Sequence, residues 1–107
     1  MEPSPRVLLV LVTAPAAEAA RIARALVDER VAACVSQLPA VTSVYRWQGG
    51  VEEASETLLL IKTDEAHYAA LESAVHRVHP YEVPEVIALP IERGSAAYLQ
   101  WISGSLA

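Results

Sequence analysis

Three histidines and one cysteine are the side chains of this sequence best suited to hold a metal ion or to move a proton near neutral pH. His76 and His79 lie three residues apart, a spacing that on a helix can turn both rings towards one cation. The alternative interpretation is that they are exposed residues of a last helical turn, which the helix dipole favours. His67 is interpreted as a solvated polar residue near the start of the same helix.

Cys34 is the only cysteine, so neither an intrachain disulfide nor a multi-cysteine zinc site can form. Its thiol could act as a soft metal ligand or as a reactive group. Its neighbours Ala33 and Val35 are apolar, however, and this setting is typical of a small buried side chain. The sequence leaves both interpretations open.

No enzymatic motif is present: the chain has no G-x-S-x-G elbow and no glycine-rich phosphate-binding loop. Glu52, Glu53 and Glu56 could perform acid–base chemistry as paired carboxylates. On an exposed strand, such a cluster is more typical of a solubilising run of charge. Arg46 and Trp47 are residue types enriched at the centres of interfaces, which favours self-association. We therefore predict that the protein is not an enzyme.

Composition narrows the possible partners. With 107 residues the chain is long enough for one domain, 1–107, and its 53% hydrophobic content is high for that size. We expect another copy of the chain to cover some of that apolar surface. The net charge is −5 and Lys62 is the single lysine, which argues against nucleic-acid binding.

A membrane or secretory location is not indicated by the amino-terminal region. The apolar run Val7–Val12 is too short to span a bilayer, and Met1–Arg6 makes a poor signal peptide. We therefore expect a cytoplasmic protein with no membrane partner.

Hydrophobic periodicity predicts the elements that would position these residues. The predicted strands are Val7–Val12, Val31–Trp47, Val51–Thr63 and Val86–Ile91. Predicted helices follow at Ala16–Arg30, from Asp64 to Val78, and from Ser95 through Ile102. This order is the α+β, ferredoxin-like βαββαβ arrangement, an antiparallel sheet with two helices on one face and a short helix at the carboxyl end.

The hairpin between the second and third strands is the most unusual predicted element. Pro39-Ala40 predicts a bulge in its first strand, because proline cannot donate to the ladder. With Gly49-Gly50 as the turn residues, Arg46 would lie opposite Glu53. Both strands exceed the usual length of about 5–6 residues, so the tip is expected to project and to need a partner.

Four shorter segments also have local expectations. Pro15 is predicted as the first residue of the first helix, after a turn at Thr13-Ala14. Asp64 and Ser95 are predicted to cap the helices that follow them. Tyr81–Glu85 is predicted to be extended, because prolines restrict the residues before them.

Several ordered motifs resemble the CutA family, the divalent-cation tolerance proteins. They are Thr13–Pro15, Val31–Val35, Val41–Gly49, Ile61–Thr63, His79–Glu85 and Tyr98–Ile102. The resemblance spans about Val7 to Ile102 and implies a homotrimer assembled through long hairpins and sheet edges. It also implies a role in the response to metal ions, with copper or another divalent cation as the ligand and no organic cofactor.

The metal ligands that the resemblance implies are few. Copper-binding bacterial relatives carry a cysteine before Thr-Ala-Pro and paired histidines before Pro-Tyr. Here Val12 and Val78 occupy two of those positions and only His79 matches. Cys34 matches the family's Ala-Cys segment, so His79 and Cys34 are the implied ligands.

Two alternatives to a metal-binding role remain. The implied trimer resembles the PII signalling proteins, so the protein could be a PII-like regulator that binds a small molecule between subunits. The residues expected near such intersubunit clefts are Arg46, Trp47, Lys62, Tyr81, Glu82 and Glu85. The third hypothesis is a structural scaffold for a partner protein.

Overall fold

The computed structural model of the chain describes residues 6–107. Residues 1–5, most of the segment interpreted as a poor signal peptide, lie outside the described residues. The elements are β1 (Val7–Pro15), α1 (Ala16–Asp28), β2 (Cys34–Trp47), β3 (Gly50–Asp64), a 3₁₀ turn (Glu65–His67), α2 (Tyr68–Val78), β4 (Ile87–Pro90) and α3 (Ala96–Gly104). Antiparallel pairing gives the strand order β2-β3-β1-β4, which confirms the ferredoxin-like prediction. None of the described helices is long and apolar enough to cross a membrane.

The core lies between one face of the sheet and the helices α1 and α2. Alternate residues of β1 and β3 point into it, as the period of a strand requires. The fully buried side chains include Val10, Val12, Leu59 and Ile61 from the sheet and Ile22, Leu26, Leu71 and Val75 from the helices. Burial of each large aliphatic side chain contributes about 1.5–3 kcal/mol, so this layer is the main source of stability.

The opposite side of the sheet, here called the open face, is also apolar. Its centre is Leu11, which the strand register pairs with Leu60 on one side and with Ile87 on the other. Leu38 and Leu89 also lie on this face and are about half exposed. In the single chain, large apolar side chains on this sheet face are therefore left in water.

The bulge predicted at Pro39-Ala40 is confirmed. Leu38 pairs with Leu58, but the next ladder pair is Val41 with Glu56, so β2 uses one residue more than β3. Ala40 has a positive φ of 62°, in the left-handed region. The extra residue reverses which side chains of β2 point to each face.

The turn of the hairpin differs from the prediction by one residue. Gln48 and Gly49 are the turn residues, with φ values of 47° and 83°, which matches a type I′ turn. Trp47 therefore pairs with Gly50, and Arg46 lies opposite Val51 instead of Glu53. The predicted Arg46–Glu53 cross-strand pair is wrong, because Gly49 takes the second turn position here.

The distal hairpin, Val41–Glu56, projects from the rest of the chain and is called the arm. The described chain measures 53 × 25 × 22 Å, and its radius of gyration is 14.6 Å. A compact domain of this length would have a radius of gyration of about 13 Å. The remainder, residues 6–40 and 57–107, is called the body.

The ends of the helices correct three local predictions. Pro15 continues β1 opposite Glu56, and α1 begins only at Ala16, because β1 keeps pairing beyond Val12. Ser95 occupies the N-cap position of α3, but its side chain makes no capping hydrogen bond. Helix α1 ends at Asp28, before Arg30 adopts a φ of 60°.

Two predictions about α2 and the segment after it have different outcomes. Asp64 caps the 3₁₀ turn before α2 by accepting a hydrogen bond from the backbone N–H of His67, as predicted. The segment Tyr81–Val83 bends instead of running extended. The bend lets the loop between α2 and β4 approach the base of the arm.

Candidate functional site

A cavity of the described chain lies where the arm meets the body, and it is called the arm-base cleft. Its volume is about 500 Å³, within the range of about 300–1,000 Å³ common for small-molecule sites. The arm contributes Ser43, Tyr45, Trp47 and Glu56, β1 contributes Thr13, and the loop after α2 contributes Pro80–Val83 and Glu85.

The bulge explains why aromatic side chains line this cleft. Val41 pairs with Glu56, and residues two apart on a strand share a face. Ser43, Tyr45 and Trp47 therefore lie on the same face as Glu56. Without the extra residue of the bulge, their neighbours on β2 would occupy that face.

Glu56 and Tyr81 form the most buried polar contact of the cleft. The residue Glu56 is 5% exposed, and the Tyr81 hydroxyl donates a 2.8 Å hydrogen bond to its Oε2. Burial of the phenol, followed by this hydrogen bond, raises the pKa of Tyr81 to about 12. Tyr81 therefore stays a neutral donor at physiological pH. Within residues 6–107, no basic side chain forms an ion pair with Glu56.

His79 is buried and holds the loop beside the cleft. Its Nε2 donates to the Thr13 carbonyl at 2.8 Å, and its Nδ1 accepts from the Tyr81 backbone N–H at 3.1 Å. Its ring also packs on the Tyr81 ring, with centroids 4.7 Å apart. Both ring nitrogens are thus engaged within the chain, and the interpretation of His79 as an exposed residue is wrong. That interpretation holds for His76, whose side chain is half exposed.

His67 is not simply solvated, contrary to the sequence-based interpretation. Its Nδ1 lies 2.6 Å from Asp64 Oδ1, and its Nε2 lies 2.6 Å from the Ala107 oxygen. The hydrogen bond to Asp64, followed by the one to Ala107, raises the pKa of His67 above its usual value. This contact ties the end of the described chain to the start of α2, away from the residues that line the cleft.

Cys34 and Lys62 lie together on the sheet. Lys62 Nζ donates to Ser36 Oγ at 2.9 Å, and Cys34 Sγ is 3.9 Å from the same nitrogen. Cys34 is half-buried, so it is neither a fully buried apolar side chain nor an open thiol.

The donor atoms of one chain do not fit a copper ion. Cys34 pairs with Lys62, whereas Thr13, which binds His79, pairs with Leu58. These positions are separated by about 13 Å along β3. No group of three or more His, Cys, Asp or Glu side chains within residues 6–107 is arranged to hold a metal ion.

Of the six residues expected near a cleft, four line the arm-base cleft. They are Trp47, Tyr81, Glu82 and Glu85. Arg46 is next to Trp47 on β2 and so points to the other face of the arm, and Lys62 lies further along β3 beside Ser36.

Sequence reasoning missed the other lining residues, above all Glu56 and Tyr45. Glu56 was grouped with Glu52 and Glu53, but only those two are exposed. The alternation of Ser43, Tyr45 and Trp47 after a proline bulge was the signal that could have identified a polar and aromatic face.

A sequence profile of the family described as "CutA1 divalent ion tolerance protein" matches residues 8–105. The divalent-cation tolerance protein CutA of Thermus thermophilus is 53% identical over 95 residues, which is 88% of this chain and 92% of that protein. Human protein CutA is 53% identical over 92 residues, 85% of this chain. The chain spans about half (51%) of the human protein's length.

Solved structures of similar proteins share the fold. The divalent cation tolerance protein (Cut A1) of Thermus thermophilus superposes with a TM-score of 0.90 at 49% identity, covering 94% of this chain and 99% of that one. A protein described as PII-like CutA, from Nostoc sp. PCC 7120, has a TM-score of 0.89 at 30% identity, with 94% and 97% of the two chains covered.

Proposed function

This chain belongs to the CutA1 divalent ion tolerance protein family, and from that premise we propose that it acts as a self-assembling, small-molecule-binding protein and not as an enzyme. The observation that carries the proposal is the arm-base cleft, a cavity of about 500 Å³ that combines three aromatic rings with the buried carboxylate of Glu56. Apolar walls with a few placed polar groups are typical of small-ligand sites. The PII-like description of the Nostoc relative supports the same class of function.

The open face supports the self-assembly part of the proposal. Its leucines are too exposed for a stable monomer surface, and the arm also leaves Val44 and Val51 in water. A second copy of the chain is the occupant that fits, because the same apolar surface exists on every copy. The number three comes from the family resemblance, so the proposed assembly is a homotrimer.

Sedimentation or light scattering tests the assembly. We expect a particle of three times the 11.5 kDa chain mass. Leu89→Asp, on the open face, should shift the protein towards smaller species, because a carboxylate buried in the interface lacks a partner. Ala20→Asp, on the exposed side of α1, is the control and should leave the mass unchanged. A monomeric parent protein would overturn the homotrimer.

Thermal denaturation with a broad panel of metabolites tests the binding function. A ligand that binds only the native state raises the melting temperature. The shift should disappear in Trp47→Ala, which removes a cleft wall, and persist in Trp101→Ala, which alters α3 outside the cleft. A panel that produces no shift, or shifts that Trp47→Ala leaves intact, would contradict this function.

Direct copper binding through His79 and Cys34 stays a prediction, and calorimetry with purified protein tests it. His79 must give up a hydrogen bond to bind a metal, so we expect binding no tighter than that of an exposed histidine. His76→Ala should then weaken copper binding more than His79→Ala. Tight, stoichiometric binding that His79→Ala abolishes would instead establish a copper site that forms by rearrangement or between subunits.

A further inference from the structure

We propose that the ligand of the arm-base cleft is an organic cation with a methylated ammonium group, held against the rings of Tyr45, Trp47 and Tyr81 beside the carboxylate of Glu56. The inference rests on the proposed function, because it names the chemical class that the same cleft would bind. It assigns the charge and shape of the ligand, which neither the family description nor the fold supplies.

The charged side chains that line the cleft are all negative. Glu56, Glu82 and Glu85 line the cleft, and none of its lining residues is lysine, arginine or histidine. A concave surface lined by one sign of charge concentrates ligands of the opposite sign. A nucleotide or a phosphate would meet three carboxylates and no cationic partner, so the cleft of this chain favours a cation.

Glu56 is a buried carboxylate that forms no ion pair within the described residues. Glu56 is 5% exposed and accepts one hydrogen bond, from the neutral Tyr81 hydroxyl. A buried carboxylate without a cationic partner is costly, because it has lost water without gaining an opposite charge. A ligand cation that enters the cleft would supply that missing charge.

The aromatic rings separate an organic cation from a metal ion. The faces of tryptophan and tyrosine attract ammonium groups through their quadrupoles, and aromatic cages recognise methylated ammonium in particular. A divalent metal needs several oxygen ligands at short range, and the three carboxylates of the cleft do not form such a group. Tyr45 and Trp47 are also partly open to solvent in the single chain.

Choline and its neutral tert-butyl analogue, in which carbon replaces the ammonium nitrogen, form a matched pair of probes. The two tryptophans make the readout specific, because Trp47 lines the cleft and Trp101 stacks on Tyr98 in α3. In heteronuclear NMR, we expect choline to shift the Trp47 indole signal and to leave that of Trp101 in place. The neutral analogue should bind about tenfold more weakly, as loss of a partly desolvated cation–π contact implies.

Glu56→Gln tests the carboxylate while keeping an acceptor for the Tyr81 hydroxyl. We expect it to weaken choline binding about tenfold and to leave binding of the neutral analogue unchanged. Glu53→Gln removes the same charge from an exposed position of the arm that pairs with Val44 on the opposite face, so it should change neither. Equal losses in the two variants would overturn the role of Glu56.

The outcomes separate this inference from the proposed function. If choline and the neutral analogue bind equally, or if adenosine triphosphate shifts Trp47 and choline does not, the organic-cation inference is wrong and small-molecule binding stands. If none of the three probes shifts Trp47, the inference is also wrong. The metabolite panel then decides the function independently, since it includes neutral and anionic compounds.

Discussion

The body and the arm share two strands but differ in what stabilises them. In the body, the helices α1 and α2 cover one face of the sheet, and side chains such as Leu59 and Ile61 are fully buried. In the arm, both strands continue with regular pairing, yet Val51 is 67% exposed. Regular backbone pairing without burial is a weak source of stability in water. Within one chain, the arm therefore owes its shape to the body and to its turn.

This difference also separates what each region does. In the body, buried and exposed residues alternate along the strands. Among the described residues, every buried side-chain polar atom has a hydrogen-bond partner. The cleft forms only where the two regions meet. Its aromatic walls come from the arm and the loop after α2, and that loop is fixed to the body through His79 and Thr13.

The largest expected effect comes from a core truncation compared with one in the arm. Leu59→Ala should lower the free energy of unfolding by about 2–5 kcal/mol, because the cavity it leaves cannot be filled. Val51→Ala, in the arm, should change it by less than about 0.5 kcal/mol if the residue stays in water. Urea denaturation at one fixed protein concentration measures both. A large loss in Val51→Ala would show that another copy buries the arm.

The second effect is a pH dependence confined to the body. The folded-state pKa of His67 is raised above 6.5, so the native state binds the proton more tightly than the unfolded chain. The stabilisation is complete below the unfolded-state pKa of 6.5 and is lost as pH rises through the folded-state value. The free energy of unfolding of the parent should be lower at about pH 8.5 than at about pH 6. The decrease should be smaller in His67→Gln. His76→Gln is the control, and an unchanged loss in His67→Gln would contradict the assignment.

The third effect concerns the bulge at the boundary between the two regions. Ala40→Gly should raise the free energy of unfolding by about 1 kcal/mol, because it relieves a left-handed backbone conformation. Ala54→Gly, in the regular part of the arm, should lower it by about 0.5–1 kcal/mol. Opposite signs in thermal or urea denaturation confirm the bulge geometry. The same sign in both variants would argue against it.

The smallest effect is an exposed ion pair in the body. Arg77 lies 2.7 Å from Glu29 and links α2 to the end of α1. Both side chains are well exposed, so Arg77→Ala should cost no more than about 1 kcal/mol. Glu53→Gln in the arm should have an effect near zero, since Glu53 forms no ion pair within the described chain. High salt should reduce the difference between Arg77→Ala and the parent.

Periodicity was enough to predict the body, because burial dictates both its strands and its helices. Burial of the apolar stripe that includes Leu71 and Val75 requires the helix to pack on the sheet. Burial of the continuous apolar run of β1 requires that strand to lie inside the sheet. Even the bulge followed from local chemistry at Pro39. The long hairpin also followed from the strand pattern, and the family-specific motifs added the expectation of a homotrimer.

The site was harder to predict, because its residues come from segments whose positions change when a turn or a strand register shifts by one residue. A turn at Gln48-Gly49 instead of Gly49-Gly50 changes every partner in the arm. The burial of Glu56 depends on the bend at Tyr81, which proline rules had described as extended. Charge alone could not distinguish Glu56 from the exposed Glu52.

The bulge determines which side chains of β2 face the cleft, because successive side chains of a strand alternate between its two faces. Between Ala40 and Tyr45, an insertion or deletion of two residues would keep Tyr45 and Trp47 on the cleft face of β2 and move them about 7 Å along it. A change of one residue would turn those rings outwards and bring the other side of β2, including Arg46, into the cleft. This stretch of β2 can therefore change only by an even number of residues if the aromatic side chains are to stay on the cleft face, and a one-residue change there would exchange an acidic, aromatic face for one that contains a guanidinium.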